Sequence, residues 1–175
     1  MKILRCLLFL LCISATHVYF SPQDKIADKL ITLIENEKES IDIAIYCFTH
    51  RGIAAALIAA KERGVKVEVV LDPYSLKAKT AVSNMEAAGI PLYIWDPKRS
   101  APKKSAIMHD KFCIFGGKTV WTGSFNFTYK ASASNAENVL VTDDTAVAAN
   151  FKKQFQNLKT TDAYPCKDYL KKKTP

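Results

Sequence analysis

Histidine is scarce in this chain: three in 175 residues, at positions 17, 50 and 109. Chemistry that needs an imidazole has few places to happen. Paired cysteines are missing as well. The five cysteines stand at 6, 12, 47, 113 and 166 with no Cys-x-x-Cys among them, so neither a zinc site nor a redox motif is indicated. Two fall in the N-terminal apolar run, and the three left in the body do not make a disulfide framework. Cys47 and Cys113 read as small buried residues of strands. Cys166 stands near the C-terminus, where pairing between chains is the alternative to a free thiol. No cluster of Cys or carboxylates has metal-ligand spacing, and no internal repeat is visible. Acids are outnumbered, 17 Asp and Glu against 25 Lys and Arg, for a net charge of +8. That balance favours a polyanionic partner, nucleic acid or an anionic lipid surface. The length suits one domain with a sizeable core.

What is present concentrates in Ile107–Asn126, IMHDKFCIFGGKTVWTGSFN. Two apolar runs flank Gly116-Gly117, a hairpin signal. Side chains alternate faces along a strand, so His109 and Lys111 project together while Asp110 points away. The returning strand, expected over Lys118–Thr122, delivers Ser124 and Asn126 to the same place. An ammonium, a hydroxyl and an amide suit the anionic oxygens of a phosphate. The imidazole can attack phosphorus or transfer a proton near neutral pH. Metal-free phosphodiester chemistry is the natural reading. Taken singly, a His-x-Lys is more often a solvated strand face, and Gly-Ser-x-Asn an ordinary turn. Their combination at hairpin spacing raises the signal.

This stretch resembles the signature of the phospholipase D superfamily: His-x-Lys, four residues, Asp, six residues, Gly-Ser-x-Asn. His109, Lys111, Gly123, Ser124 and Asn126 match with the spacing intact. Gly116 stands where the family carries Asp, a supporting residue in that family. Its absence bears on stability or efficiency more than on reaction type. The resemblance extends over most of 21–158 and is nearest to the short, single-motif members, bacterial nuclease-like proteins and the cardiolipin-hydrolase-like group. It implies a covalent phosphohistidine, with one histidine attacking and a second protonating the leaving oxygen. It also implies that Glu137, at the place of a family carboxylate, hydrogen-bonds a catalytic histidine. The site residues expected are thus His109, Lys111, Asn126 and Glu137, with Lys111, Ser124 and Asn126 on the phosphate and neither metal nor cofactor. One motif per chain implies a homodimer that completes the active site, because His50 has no Lys two residues on and His17 lies in the leader.

The rest of the chain reads as an α/β fold, a mixed, mostly parallel sheet flanked by helices. Residues 1–20 have a basic start, an apolar run and small residues at Ser14, Ala15 and Thr16. They read as a signal peptide or an N-terminal membrane anchor outside the fold, and hence as export, periplasmic or secreted. Loss of Lys2 and Arg5 with them takes the charge from +8 to +6. Ser21-Pro22 looks like a helix start leading to apolar residues at helical spacing. Ser40–Thr49, Arg51–Arg63 and Val65–Leu71 read strand, helix, strand, with Gly64 ending the helix. Ser75–Ala88 reads as a helix and Ile90–Trp95 as a strand. Asp96–Ser105 is a loop whose Lys98, Arg99, Lys103 and Lys104 would steer a polyanion to His109. Phe127–Asn135 is expected to be irregular, Ala136–Thr142 a strand and Ala146–Leu158 the last helix of a domain spanning 21–158. Residues 159–175 form a loose basic tail. The function expected is a phosphodiesterase, a nuclease on DNA or RNA first. Phospholipase D action on phosphatidyl lipids or cardiolipin is the alternative, and a catalytically weak nucleic-acid-binding protein a third reading.

Overall fold

The computed structural model describes residues 14–77, 79–97 and 106–173. The basic residues 98–104 of the expected steering loop, and residues 1–13, lie outside them. Strands β1 (Thr16–Ser21), β2 (Ser40–Ile45), β3 (Lys66–Leu71), β4 (Leu92–Trp95), β5 (Lys111–Phe115), β6 (Thr119–Gly123), β7 (Glu137–Thr142) and β8 (Ala163–Pro165) form one sheet. Its order is β1-β7-β6-β5-β2-β3-β4-β8. Helices α1 (Ile26–Asn36), α2 (Arg51–Glu62), α3 (Lys79–Ala87), α4 (Tyr129–Ala133), α5 (Thr145–Thr161) and α6 (Cys166–Lys173) complete it.

The sheet is mixed, as expected, but parallel pairing is confined to β2–β3 and β3–β4. The other pairings among the described strands are antiparallel. The excess comes from the β5–β6–β7 meander and from two edge strands, β1 and β8, that sequence patterning did not reveal. β2 lies in the middle and is buried on both faces. Ile41, Ile43 and Ile45 face a core shared with α1, α2 and α3, including Leu30, Ile34, Leu57 and Met85. Ala44 faces a smaller core beneath α5, with Val70, Phe112, Ile114 and Phe155. Asp42, on that second face, is 3% exposed and paired with Lys152 of α5. Burial pushes its carboxyl up and the Lys152 ammonium pulls it back down. Among the described residues, no helix is long and apolar enough to cross a membrane.

Three boundaries differ from expectation. Residues 16–20 are not outside the fold: β1 pairs with β7 from Thr16↔Thr142 to Ser21↔Glu137. Ser21 does not cap α1. It ends β1, and Lys25, at φ 48°, precedes the helix. The segment after residue 158 is not loose. α5 continues to Thr161, β8 pairs with β4, and Cys166 and Tyr169 of α6 are buried in the main core. Burial and the nearby Glu86 push the Cys166 thiol up to about 12, so it stays protonated inside one chain. A short helix, α4, occupies the stretch expected to be irregular, and a 3₁₀ turn at Pro73–Lys77 splits the expected helix before α3.

Candidate active site

The C-terminal ends of β1, β2, β3 and β6 and the N-terminal starts of β5 and β7 all meet at one edge of the sheet. The register requires it: Ile45 lies across from Lys111 and Leu71, Gly123 from Val139, and Glu137 from Ser21. Open α/β sheets bind ligands in such places, outside the carboxyl ends of their parallel strands.

Lys111 opens β5 and is 9% exposed, while His109, two residues earlier, is exposed. The Lys111 Nζ donates to the His109 carbonyl at 2.7 Å and lies 5.6 Å from the Tyr46 ring centroid. The His109 ring meets the same Tyr46 edge-on, centroids 4.7 Å apart. Asp110 turns the other way and accepts from Gln154 of α5 at 3.1 Å. The expected alternation therefore holds, with Tyr46 as the wall between imidazole and ammonium. Burial lowers the pKa of Lys111, and the Asp110 and Glu137 carboxylates oppose that shift. A desolvated cation of this kind regains its full charge stabilisation when an anion arrives.

Ser124-Phe125-Asn126-Phe127 is an extended stretch of alternating fate. Phe125 and Phe127 are 1% and 0% exposed and pack with Trp121 and Phe48. Ser124 and Asn126 are left on the opposite side. Gly123 makes this geometry accessible: a Cβ there would lie 2.1 Å from the Asn138 carbonyl oxygen. The close approach lets Ser124 N–H donate to that oxygen at 3.0 Å and Asn138 N–H to Ser124 Oγ at 3.1 Å. The Ser124 hydroxyl proton goes to Glu137 Oε2 at 2.5 Å, so this serine first of all holds a carboxylate. Asn135 Nδ2 donates to the other Glu137 oxygen at 2.9 Å, and Ser21 Oγ accepts the Glu137 N–H at 3.2 Å. Asn126 Oδ1 is buried with no hydrogen-bond partner among the described residues. An orphaned buried acceptor marks a place that a ligand or partner completes.

The remaining histidines stand elsewhere. His17 is exposed on β1, across from Val141 and four residues from the site end of that strand. His50 caps α2: its Nδ1 accepts the Ile53 N–H at 3.2 Å and its ring stacks on Tyr129 at 4.1 Å. Gly116 sits in the β5–β6 turn at φ 55°, where the Phe115 carbonyl accepts from Lys118 N–H at 2.9 Å. Five strand residues separate it from the His109 end, roughly 16 Å at about 3.3 Å per residue. Its nearest side-chain neighbour is the Glu37 carboxylate, 3.5 Å from where a Cβ would stand. The missing Asp thus concerns the turn and its contact with Glu37, not the atoms around His109.

Sequence patterning missed Asp72. It is 4% exposed at the end of β3. Its Oδ2 accepts the Met108 N–H at 2.9 Å and its Oδ1 the Tyr74 N–H at 2.8 Å. Ser75 donates to the Tyr46 carbonyl at 3.0 Å and accepts from Phe48 N–H at 3.1 Å. Asp72 and Ser75 thereby fix the segments that carry His109 and Tyr46. The other signal available, the alternation of Phe125 and Phe127 with Ser124 and Asn126, was in plain view. Among the described residues, no group of three or more metal-ligating side chains occurs.

The family described as cardiolipin synthase, phospholipase D-like domain, matches residues 30–159, which hold every motif residue. The chain belongs to the phospholipase D superfamily. Its relatives in that superfamily include phospholipase D of Rickettsia conorii, 34% identical over 150 residues, 85% of this chain and 72% of that protein. Mitochondrial cardiolipin hydrolase of Xenopus laevis is 29% identical over 136 residues, 77% of this chain. The chain spans 61% of the length of that relative. The crystal structure of Nuc from Salmonella typhimurium, a phospholipase D family member, has a TM-score of 0.76 at 31% identity, covering 87% of this chain and 99% of that one. The phospholipase D match leaves β1, β8 and α6 outside its bounds.

Proposed function

We propose that the protein is a phosphodiesterase that works through a covalent phosphohistidine on His109, and that its substrate is nucleic acid. The observation behind this is the exposed His109 ring beside the buried Lys111 ammonium, with a fixed Glu137 carboxylate at the same sheet edge and Asn126, whose Nδ2 can donate to a phosphate oxygen, just beyond β6. A phosphate seated against Lys111 and Asn126 presents phosphorus to His109. A ring nitrogen forms the P–N bond as the P–O bond to the leaving group breaks. The leaving oxygen takes a proton from a second imidazole, which then removes one from the water that frees the phosphoryl group.

His50 is committed to its cap and His17 sits down the edge strand, so the second imidazole comes from another copy of the chain. A two-fold dimer brings two His109 rings to one seam. Glu137, whose carboxylate keeps free lone pairs after Ser124 and Asn135, receives the ring N–H of that second His109 and sets its tautomer. Specific activity should fall on dilution to the monomer; activity undiminished in a demonstrated monomer rules the shared site out.

The net charge of +8, the basic residues Lys98, Arg99, Lys103 and Lys104 before His109 and the single short motif favour nucleic acid. The second reading is a phospholipase D acting on phosphatidyl lipids or cardiolipin, favoured by the names of the Rickettsia and Xenopus relatives. Incubation with single-stranded DNA, RNA, and phosphatidylcholine or cardiolipin vesicles, each with and without EDTA, separates the readings. Strand scission that survives EDTA supports the proposal. Headgroup release without scission supports the lipid reading, and loss of activity in EDTA restored by a divalent ion contradicts the metal-free mechanism. Export of the protein belongs to this reading too. A leader removed before Thr16 keeps β1, and N-terminal sequencing of the exported protein checks it.

A further inference from the structure

The aromatic wall behind His109 runs outward to solvent. Tyr46 touches the imidazole, and Tyr74 stacks on Tyr46 at 5.0 Å with the planes 14° from parallel. Two centroid steps of 4.7 and 5.0 Å put Tyr74 less than 10 Å from the His109 ring. Tyr74 is nevertheless 42% exposed. It is also firmly mounted. It lies in the Pro73–Lys77 3₁₀ turn, its N–H bonds the Asp72 carboxylate at 2.8 Å, and the next N–H bonds the Asp72 carbonyl at 3.0 Å. Lys77 holds its ammonium 4.6 Å from the Tyr74 centroid.

We propose that Tyr74, backed by Tyr46, is a stacking subsite for the nucleobase next to the scissile phosphate, which makes single-stranded nucleic acid the substrate class. The inference rests on the nuclease reading and narrows it. A fixed, solvent-facing ring is what a base needs: every base has a π-face, so the platform is tolerant of sequence. The separation from His109 is about that between a phosphate and the base it carries. In a duplex both faces of each base are covered by neighbours, so only an unpaired or splayed base reaches Tyr74. The exposed Lys77 leaves the ring to the base and moves to the next phosphate along the strand, where its charge does more than over a tyrosine in water. A phospholipid offers no flat ring for Tyr74 to hold.

The test compares kcat/KM on two matched single strands, one of ordinary nucleotides and one built of stable abasic sugars. The wild-type protein should prefer the base-bearing strand by about 5- to 140-fold, the range for one stacked base. Tyr74→Phe should keep that ratio and Tyr74→Ala should bring it close to one, with the preference for single strand over duplex shrinking in parallel. Tyr74→Leu, which covers Tyr46 without a π-face, gives the same readout if Tyr74→Ala misfolds. A wild-type ratio retained in Tyr74→Ala or Tyr74→Leu overturns the subsite and leaves the nuclease reading standing. A wild-type protein that cuts neither strand but releases headgroups from vesicles overturns both.

Discussion

Lys111 is a cation held in a half-dry place, and that position determines how the site responds to pH. Burial lowers its pKa below the ordinary lysine value near 10.5. The free enzyme therefore loses its phosphate-binding charge at a lower pH than an exposed lysine would. The profile of kcat/KM should fall on the alkaline side below about pH 10.5, and Lys111→Arg, whose guanidinium does not deprotonate, should abolish that limb. A limb unmoved in Lys111→Arg assigns it to another group. Lys111→Ala should cost about 3 kcal/mol in kcat/KM, the scale of one lost oxyanion donor. His109, Lys111, Ser124 and Asn126 were legible in the sequence because their spacing is local. Alternation puts His109 and Lys111 on one face, and Ser124 and Asn126 follow where the returning strand ends beside them. Asp72 was not legible. Its partner Met108 is 36 residues away, and nothing near Asp72 in sequence announces the meeting.

Among the elements, α2 hangs on a histidine. The His50 Nδ1 accepts the Ile53 N–H, which only a neutral ring can do, and burial lowers the His50 pKa. The folded state thus binds this proton less readily than the unfolded chain. The cap's contribution is fully present above about pH 6.5 and is lost as pH falls from there through the lower folded value. Urea midpoints should therefore decline between pH 7.5 and 5.5, and His50→Asn, which caps without titrating, should flatten that decline. An equal decline in the variant would place the titration elsewhere. The central strands and helices were legible because β2 and β3 carry apolar residues in alternation, Ile41, Ile43 and Ile45 and then Val67, Val69 and Leu71, and α2 stops before Gly64. β1 and β8 were not. β1 adjoins the apolar run that reads as a leader, and β8 is three residues with a proline, too short to show a period. Parallel character was over-read in part for the same reason, since β1 and β8 pair antiparallel, and in part because the β5–β6–β7 meander joins β2 antiparallel as well.

At the scale of the molecule, the N-terminal strand ties the edge of the sheet to the chemistry. β1 supplies six register pairs to β7, and its last residue, Ser21, supports the Glu137 backbone and the Asn135 carbonyl. A chain started at Ser21 should lose a few kcal/mol of stability, from ladder hydrogen bonds worth about 1 kcal/mol each. Its activity should fall through a loosened Glu137. Melting and turnover equal to those of the chain started at Ser14 would show β1 to be dispensable.

The proposed reaction requires a bond between His109 and phosphorus. Acid-free quenching of turnover on a phosphorus-labelled diester, followed by peptide mapping, reads that bond directly. The prediction is label on the His109 peptide, stable to base and labile to acid, and none in His109→Ala. Turnover with no label at His109, or undiminished turnover in His109→Ala, would contradict it.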